Sequence, residues 1–316
     1  MSTTAARNEE RTAVVLMAYG TPRTKEEILP YYTDIRRGRP PTPELLEELT
    51  ARYEAIGGLS PLKQLTEAQR DALQHELDAL DPGHYHVTLG LKHATPFIEE
   101  AVAEVAAAGF RRIVGVVLAP HYSSYSIGQY IGRVREAAAP HGIEVTGVDS
   151  WATEPAFVEF LAADMRKKLA SMPANTKVLF TAHSLPQRII DGGDPYPEEL
   201  RATAEAVAAS VGLTRWSQWS IAWQSAGRTP EPWIGPDILE VLDSFGAQRG
   251  TDEPIDGVLV SACGFVADHL EVLYDLDIEA AARAEAHGLR FDRTACVNDD
   301  PTVMAALAQR VIAGAR

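Results

Sequence analysis

Eight short runs of β-branched and apolar residues recur along the chain, at 12–17, 85–91, 113–118, 143–148, 177–181, 219–223, 257–260 and 291–297. Between them, apolar positions fall three and four residues apart, the period of an amphipathic helix. Strands alternating with helices imply parallel sheets, because each parallel crossover needs a connecting helix and the helices then cover the sheet on both faces. Four runs fall in each half. The pattern therefore predicts an α/β protein of two similar doubly wound domains, each on a four-stranded parallel sheet. The first domain is expected over 1–153 and the second over 154–298, with a last helix over 299–316 packing back on the first.

One stretch breaks the alternation. Residues 24–80 separate the first two strands and read as about three helical segments, a helical insertion in the first domain. Thr24-Lys25-Glu26-Glu27 has the form of a capping box. Arg39-Pro40-Pro41-Thr42-Pro43 breaks the chain before the second segment and Gly57-Gly58 ends it. Ser60-Pro61 opens the third with a favoured N-cap and an N1 proline.

Charge narrows the partners. Of 316 residues, 44 are Asp or Glu against 29 Lys or Arg, a formal net charge of -15. A field of that sign repels phosphate, so nucleic acid and anionic lipid surfaces are disfavoured and any anionic ligand needs a local basic patch. No run reaches the roughly 18 apolar residues of a membrane span, and the first apolar run lacks the length and basic flank of a secretory signal. A cytoplasmic protein without stable membrane association is expected. Cys263 and Cys296 lack CxxC spacing and cannot alone ligate an iron-sulfur cluster or a structural zinc, so they read as buried reduced thiols. Neither a Walker loop nor a Gly-x-Gly-x-x-Gly fingerprint is present, which disfavours nucleotide-dependent phosphoryl or hydride chemistry.

In open α/β sheets, ligands gather at the carboxyl ends of the strands. Those positions hold Tyr19-Gly20-Thr21-Pro22, Lys92-His93, His121-Tyr122-Ser123-Ser124-Tyr125, His183-Ser184-Leu185-Pro186 and Cys263-Gly264-Phe265, with Asp268-His269-Leu270-Glu271 following. If 268–279 is one helix, Glu271, Asp275 and Glu279 stand at i, i+4 and i+8, a carboxylate ladder on one face. A solvated helix face presents the same stripe. Like charges at that spacing cost ~0.2–0.5 kcal/mol each, which a bound cation offsets. His183 can bind a transition metal through nitrogen and accept a proton near neutral pH, with Glu271 as carboxylate partner, although a structural histidine also suits a strand end. Arg36-Arg37-Gly38-Arg39 complements a helix C-terminal dipole and equally offers a dock for carboxylates, which Arg52 and Ser60 of the same insertion can join. Tyr19 alone reads as a turn residue packing its ring.

Taken together, the segments Met17-Ala18-Tyr19-Gly20-Thr21-Pro22, Arg52-Tyr53-Glu54-Ala55-Ile56-Gly57-Gly58-Leu59-Ser60-Pro61-Leu62, Thr181-Ala182-His183-Ser184-Leu185-Pro186 and Gly264-Phe265-Val266-Ala267-Asp268-His269-Leu270-Glu271-Val272-Leu273-Tyr274-Asp275 resemble the motifs of ferrochelatases. Gly90-Leu91-Lys92-His93, Trp223-Gln224-Ser225 and Pro232-Trp233-Ile234-Gly235-Pro236-Asp237 add to a match spanning nearly the whole chain. Within that family the sequence looks most like the soluble coproporphyrin ferrochelatases of monoderm bacteria. The resemblance implies a chelatase or periplasmic-binding-like fold with a porphyrin in the cleft between the domains. It also implies no organic cofactor, with Fe2+ as a substrate inserted into coproporphyrin III in haem biosynthesis. It gives His183 and Glu271 the roles of inner metal-binding and proton-accepting pair, and Tyr19 that of axial ligand to the inserted iron. Asp275 and Glu279 match an outer acidic site that holds or relays a metal ion, with Mg2+ a candidate there. Arg36, Arg52, Tyr53, Ser60 and Tyr130 match the porphyrin pocket and its propionate contacts. The iron-sulfur cluster that some relatives carry on extra cysteines is not expected. The resemblance fits a monomer whose partners are porphyrin, ferrous iron and, transiently, neighbouring haem-pathway enzymes.

Coproporphyrin carries four propionates and protoporphyrin two, so the charged insertion from Arg36 to Gln74, without an apolar lip, favours the former. Protoporphyrin is the nearest alternative substrate. A cobalt or nickel chelatase would gather histidines at one motif, whereas the 9 here are scattered. A tetrapyrrole-binding protein without turnover has no need of the His183 and Glu271 pair.

Overall fold

The structure, a computed structural model of the chain, describes residues 8, 10–248 and 254–315. The chain forms two compact units. One comprises the chain to Ala119, Ser124–Trp151 and the segment from Asn298 onward; the other comprises Pro120–Ser123 and Ala152–Val297.

In the first unit, β1 (Thr12–Ala18) is buried at every position, as a central strand covered on both faces must be. A 3-10 turn (Lys25–Glu27) leads into α1 (Ile28–Ile35), followed by α2 (Pro43–Ala55) and α3 (Leu62–Leu80), the three segments of the insertion. β2 (Tyr85–Leu91), α4 (Ile98–Ala107), β3 (Arg112–Val117), α5 (Ile127–Ala138) and β4 (Glu144–Val148) follow. The four strands are parallel in the order β2-β1-β3-β4. α2 stops where Gly57 and Gly58 take positive φ values, 91° and 129°, and their amides satisfy the last carbonyls of the helix, those of Glu54 and Tyr53. Ser60 Oγ accepts from the Leu62 amide at 3.2 Å to open α3.

The second unit repeats the plan. It runs α6 (Pro155–Leu169), β5 (Thr176–His183), α7 (Gln187–Asp191), α8 (Tyr196–Val211), β6 (Trp219–Gln224), α9 (Ile238–Ala247), β7 (Gly257–Ser261), α10 (Leu270–Leu273), a π-helical stretch (Asp275–Ala280), α11 (Ala281–Ala286) and β8 (Arg290–Arg293). Its parallel order, β6-β5-β7-β8, is the order of the first sheet shifted by four strands. The last helix, α12 (Pro301–Gly314), is capped by Asp300 and belongs to the first unit, where it packs on α3, and Gln69 of α3 donates to the Asn298 carbonyl at 2.8 Å. Both sheets are thus layered with helices, the α/β architecture that the eight apolar runs predict.

Among the described residues no helix is long and apolar enough to cross a membrane. Both cysteines are free and buried, and burial pushes the Cys263 thiol up to about 12.

Three local expectations are corrected. Thr24 makes no side-chain cap; instead the Glu27 carboxylate reaches back to the Arg23 amide at 2.9 Å and pairs with its guanidinium, and the regular helix starts at Ile28. The last strand is Arg290–Arg293 rather than 291–297, its pairing with β7 ending at Val260 opposite Arg293. Residues 268–279 are not one α-helix. His269 is extended (φ -155°, ψ -177°), a single α-turn follows, and the Glu279 amide bonds to the Tyr274 carbonyl five residues back at 2.9 Å, closing a π-turn.

Candidate active site

The carboxyl end of the second sheet places His183 as the last residue of β5, with Gln224 its register partner at the end of β6. The backbone there is held from three sides: Tyr196 Oη donates to the His183 carbonyl at 3.1 Å, the Ser184 amide donates to the Gln224 carbonyl, and Ser184 Oγ donates to the Ile234 carbonyl. Tyr196 is buried, and burial raises its phenol pKa, so it stays a donor. His183 Nδ1 lies against the Ser184 carbonyl. A carbonyl only accepts, so Nδ1 carries a proton, and it is Nε2 that presents a lone pair whenever the ring is neutral.

That lone pair faces Glu271. His183 Nε2 stands 3.8 Å from Glu271 Oε1, and His269 Nε2 stands 3.7 Å from Oε2. His269 has the same tautomer for the same reason, since its Nδ1 donates to the Ala267 carbonyl at 2.9 Å. Both separations exceed a hydrogen bond, so neither ring is hydrogen-bonded to the carboxylate at these distances. A divalent cation bonded at about 2.0–2.2 Å to nitrogen and oxygen spans such a gap. The side chains of His183 and Glu271 are 35% and 34% exposed, so an incoming ion can reach them.

Glu271 owes its place to a buried polar grip. Gln224, 1% exposed, donates from Nε2 to the Glu271 carbonyl at 3.0 Å. Ser225, at φ 60°, donates its hydroxyl to buried Asp275. Val272 and Leu276 of the same segment are fully buried in the core with Leu179, Val258 and Val260. Each such side chain contributes about 1.5–3 kcal/mol by leaving water. The π-turn and this burial break the carboxylate ladder: Glu271 is half-buried, Asp275 is buried and Glu279 is exposed, so the three do not form one stripe.

Gly264, in the loop after β7, carries the close approach of that loop to β5. Its amide donates to the Thr181 carbonyl at 3.0 Å, and a Cβ there would meet Ala182 Cβ at 2.4 Å and Cα at 2.6 Å. Gly264→Ala is therefore expected to destabilise the protein by about 1–3 kcal/mol through overpacking. Chemical denaturation checks it; an unchanged midpoint would show that the loop relaxes freely.

In the first unit, Tyr19 follows β1, is exposed, and packs its ring at 4.5 Å from that of His93, whose Nδ1 pairs with Asp34 Oδ2 at 2.6 Å. Burial lowers the His93 pKa against the pull of Asp34. Lys92 lies over the Tyr130 ring at 5.0 Å and bonds Gln129, and burial, helped by Arg133 and Arg37, lowers its ammonium to about 8. Arg36 ends α1 with its guanidinium over the Tyr32 ring at 5.7 Å, and Arg52 lies in the last turn of α2. Tyr53, Ser60 and Tyr130 are buried within the unit.

Gln224, Ser225 and Tyr196 are given no site role by the sequence, and Lys92 and His269 stand among the strand-end positions without a role of their own. For His269 the reason is geometric: on a helix, residues two apart do not share a face, and only the extended backbone at 269 turns its ring toward Glu271. The signal available was its position inside Asp268-His269-Leu270-Glu271.

The profile of the Ferrochelatase family matches residues 11–315. A coproporphyrin III ferrochelatase of Halalkalibacterium halodurans is 42% identical over 304 residues, 95% of this chain and 96% of that one. The coproporphyrin III ferrochelatase of Bacillus subtilis is 41% identical over 311 residues, 96% and 98% of the two chains. The solved structure of SirB from Bacillus subtilis with Fe3+ superposes with a TM-score of 0.55 at 13% identity, covering 96% of each chain, a likeness of fold. With identity at that level across almost its full length, the chain belongs to the ferrochelatase family.

Proposed function

We propose that the protein inserts Fe2+ into coproporphyrin III to give iron coproporphyrin, needing no organic cofactor. The observation that carries the chemistry is the lone pair of His183 Nε2 held 3.8 Å from the Glu271 carboxylate. Insertion exchanges one divalent cation for the two protons on the pyrrole nitrogens of the ring. A group that binds metal through nitrogen and oxygen and takes protons on the same atoms serves both sides of that exchange. His183 Nε2 accepts one pyrrole proton and the Glu271 carboxylate the other, and both pass on to solvent through the exposed sides of the two side chains. The ring nitrogens complete the metal's coordination as water leaves. Tyr19 is assigned as the axial ligand of the inserted iron, and Asp275 with Glu279 as an outer acidic site, Glu279 being the exposed member that meets the ion first.

Coproporphyrin as the ring is supported by the names of the relatives at 41–42% identity and by the arginines of the insertion. Arg36 and Arg52 offer bidentate grips for propionates. Energy gained at the ring's edge can bend the macrocycle and expose its nitrogen lone pairs, so peripheral binding energy lowers the barrier at the centre. Arg52→Ala is expected to weaken coproporphyrin III binding by about 1–3 kcal/mol, more than protoporphyrin IX binding. Fluorescence titration with both rings checks this, and equal losses would count against selection by propionates. The activity itself is tested by adding Fe2+ anaerobically to the protein with each porphyrin. Loss of porphyrin fluorescence with release of metalloporphyrin is expected, fastest for coproporphyrin III; a spectral shift without turnover indicates a binder, and faster reaction with protoporphyrin IX reverses the substrate assignment.

A further inference from the structure

We infer that Arg293 is a positioning residue for the reaction: it clamps both ends of the segment that presents His269, Glu271 and Asp275, and so sets where Glu271 stands against His183. The inference rests on the proposed activity, but the geometry that motivates it does not. Arg293 is the last residue of β8, rooted in the sheet. Its Nε and Nη2 fork onto the Asp277 carboxylate at 2.6 and 2.9 Å, Nη2 also reaches Asp268 Oδ1 at 2.9 Å, and Nη1 donates to the Thr294 carbonyl at 3.2 Å. Asp268 immediately precedes His269, and Asp277 sits inside the π-helical stretch. One planar group therefore bridges the entry and the far end of a stretch only nine residues apart in sequence, with Glu271 and Asp275 between its two attachment points.

That stretch needs an external anchor. It passes from extended backbone through one α-turn into a π-turn, none long enough to be stable by itself. Val272 and Leu276 fix its depth in the core, yet apolar contact is non-directional and leaves slide and rotation poorly determined. Directional, charge-assisted bonds supply what apolar burial lacks. The side chain of Arg293 is 15% exposed and that of Asp268 25%, so this bond is partly shielded from solvent, whereas Asp277 at 38% is open to it and contributes chiefly through its two-point geometry. The other charges around the clamp are engaged with one another or with backbone: Lys168 pairs with Asp292 at 2.9 Å and Asp164 accepts from the Ala295 amide at 2.8 Å. Neither takes over the fork. Lysine at 293 keeps the charge but cannot bond two carboxylates in one plane.

Arg293→Lys and Asp277→Asn are to be compared with the unaltered chain in anaerobic Fe2+ insertion into coproporphyrin III, together with amide hydrogen exchange across residues 270–280. A displacement of about 1 Å at a reacting group costs on the order of 100-fold. The expected result is a kcat lowered roughly ten- to a hundredfold, a KM for coproporphyrin III within about twofold of the unaltered chain, and exchange at least about tenfold faster in that segment alone. A folded Arg293→Lys protein with unaltered kcat and exchange overturns the inference. So does a loss carried by KM, which would place Arg293 in ring binding, and so does failure of both variants to fold, which would make the clamp a requirement of the fold. Absence of turnover in the unaltered chain would refute the proposed activity instead, and the exchange measurement then decides the clamp by itself.

Discussion

His183→Ala is expected to lower the rate of iron insertion by about 10²–10⁴-fold, the range for losing a positioned general base, while porphyrin binding stays within a few fold. The fold should tolerate the change. The backbone at 183 is held by its own carbonyl through Tyr196 and by the flanking Ser184 amide and hydroxyl, none of which needs the imidazole. The side chain is about one-third exposed, so truncating it leaves no sealed cavity. What disappears is the nitrogen lone pair that the Ser184 carbonyl orients by accepting a hydrogen bond from Nδ1–H. Stopped-flow loss of porphyrin fluorescence measures the insertion step and equilibrium titration measures binding. Turnover surviving at the unaltered rate would remove His183 from the chemistry, and loss of binding in step with rate would make it a docking residue.

How far the sequence discloses this site follows from which forces shape each part. The strands are legible because a parallel strand covered on both faces must be apolar throughout, and β1 is buried at all of its positions. His183 and Tyr19 are legible for a related reason, since residues just past such runs project from the sheet edge where ligands gather. The insertion's ends are marked by local chemistry, the positive φ values at Gly57 and Gly58 and the Ser60 cap. Asp275 and Glu279 are misplaced by helical periodicity, because the chain passes into a π-turn, closed by the Glu279 amide on the Tyr274 carbonyl, that shifts the register by one residue. Gln224 and Arg293 are invisible to any local rule. One acts from the end of β6 on the helical segment after β7 and the other from the end of β8 on the loop and π-turn of that same segment, and both use contacts that sequence spacing does not encode.

Glu271→Gln is expected to cost about 10²–10³-fold in kcat, within the same range of proton-transfer effects, with the structure of the site unchanged. Glutamine matches the shape of glutamate, and the contact that holds residue 271 from behind, from Gln224 Nε2, goes to its backbone carbonyl and survives the substitution. Two things change at the front. The negative charge that balances an arriving Fe2+ or a newly formed imidazolium is gone. One of the two oxygens, 3.8 Å from His183 or 3.7 Å from His269, also becomes an amide N–H donor facing an imidazole lone pair. A hydrogen bond there occupies the very electron pair that must take metal or proton, so the neutral isostere blocks as well as subtracts. Glu271→Asp keeps the charge but withdraws it by one methylene and should lose less than the glutamine variant. Insertion assays on both variants, run beside porphyrin titrations, check the order. If the glutamine protein turns over within a few fold of the unaltered chain, the charge at 271 is dispensable, and the paired lone pairs of His183 and His269 would then have to receive metal and protons without it.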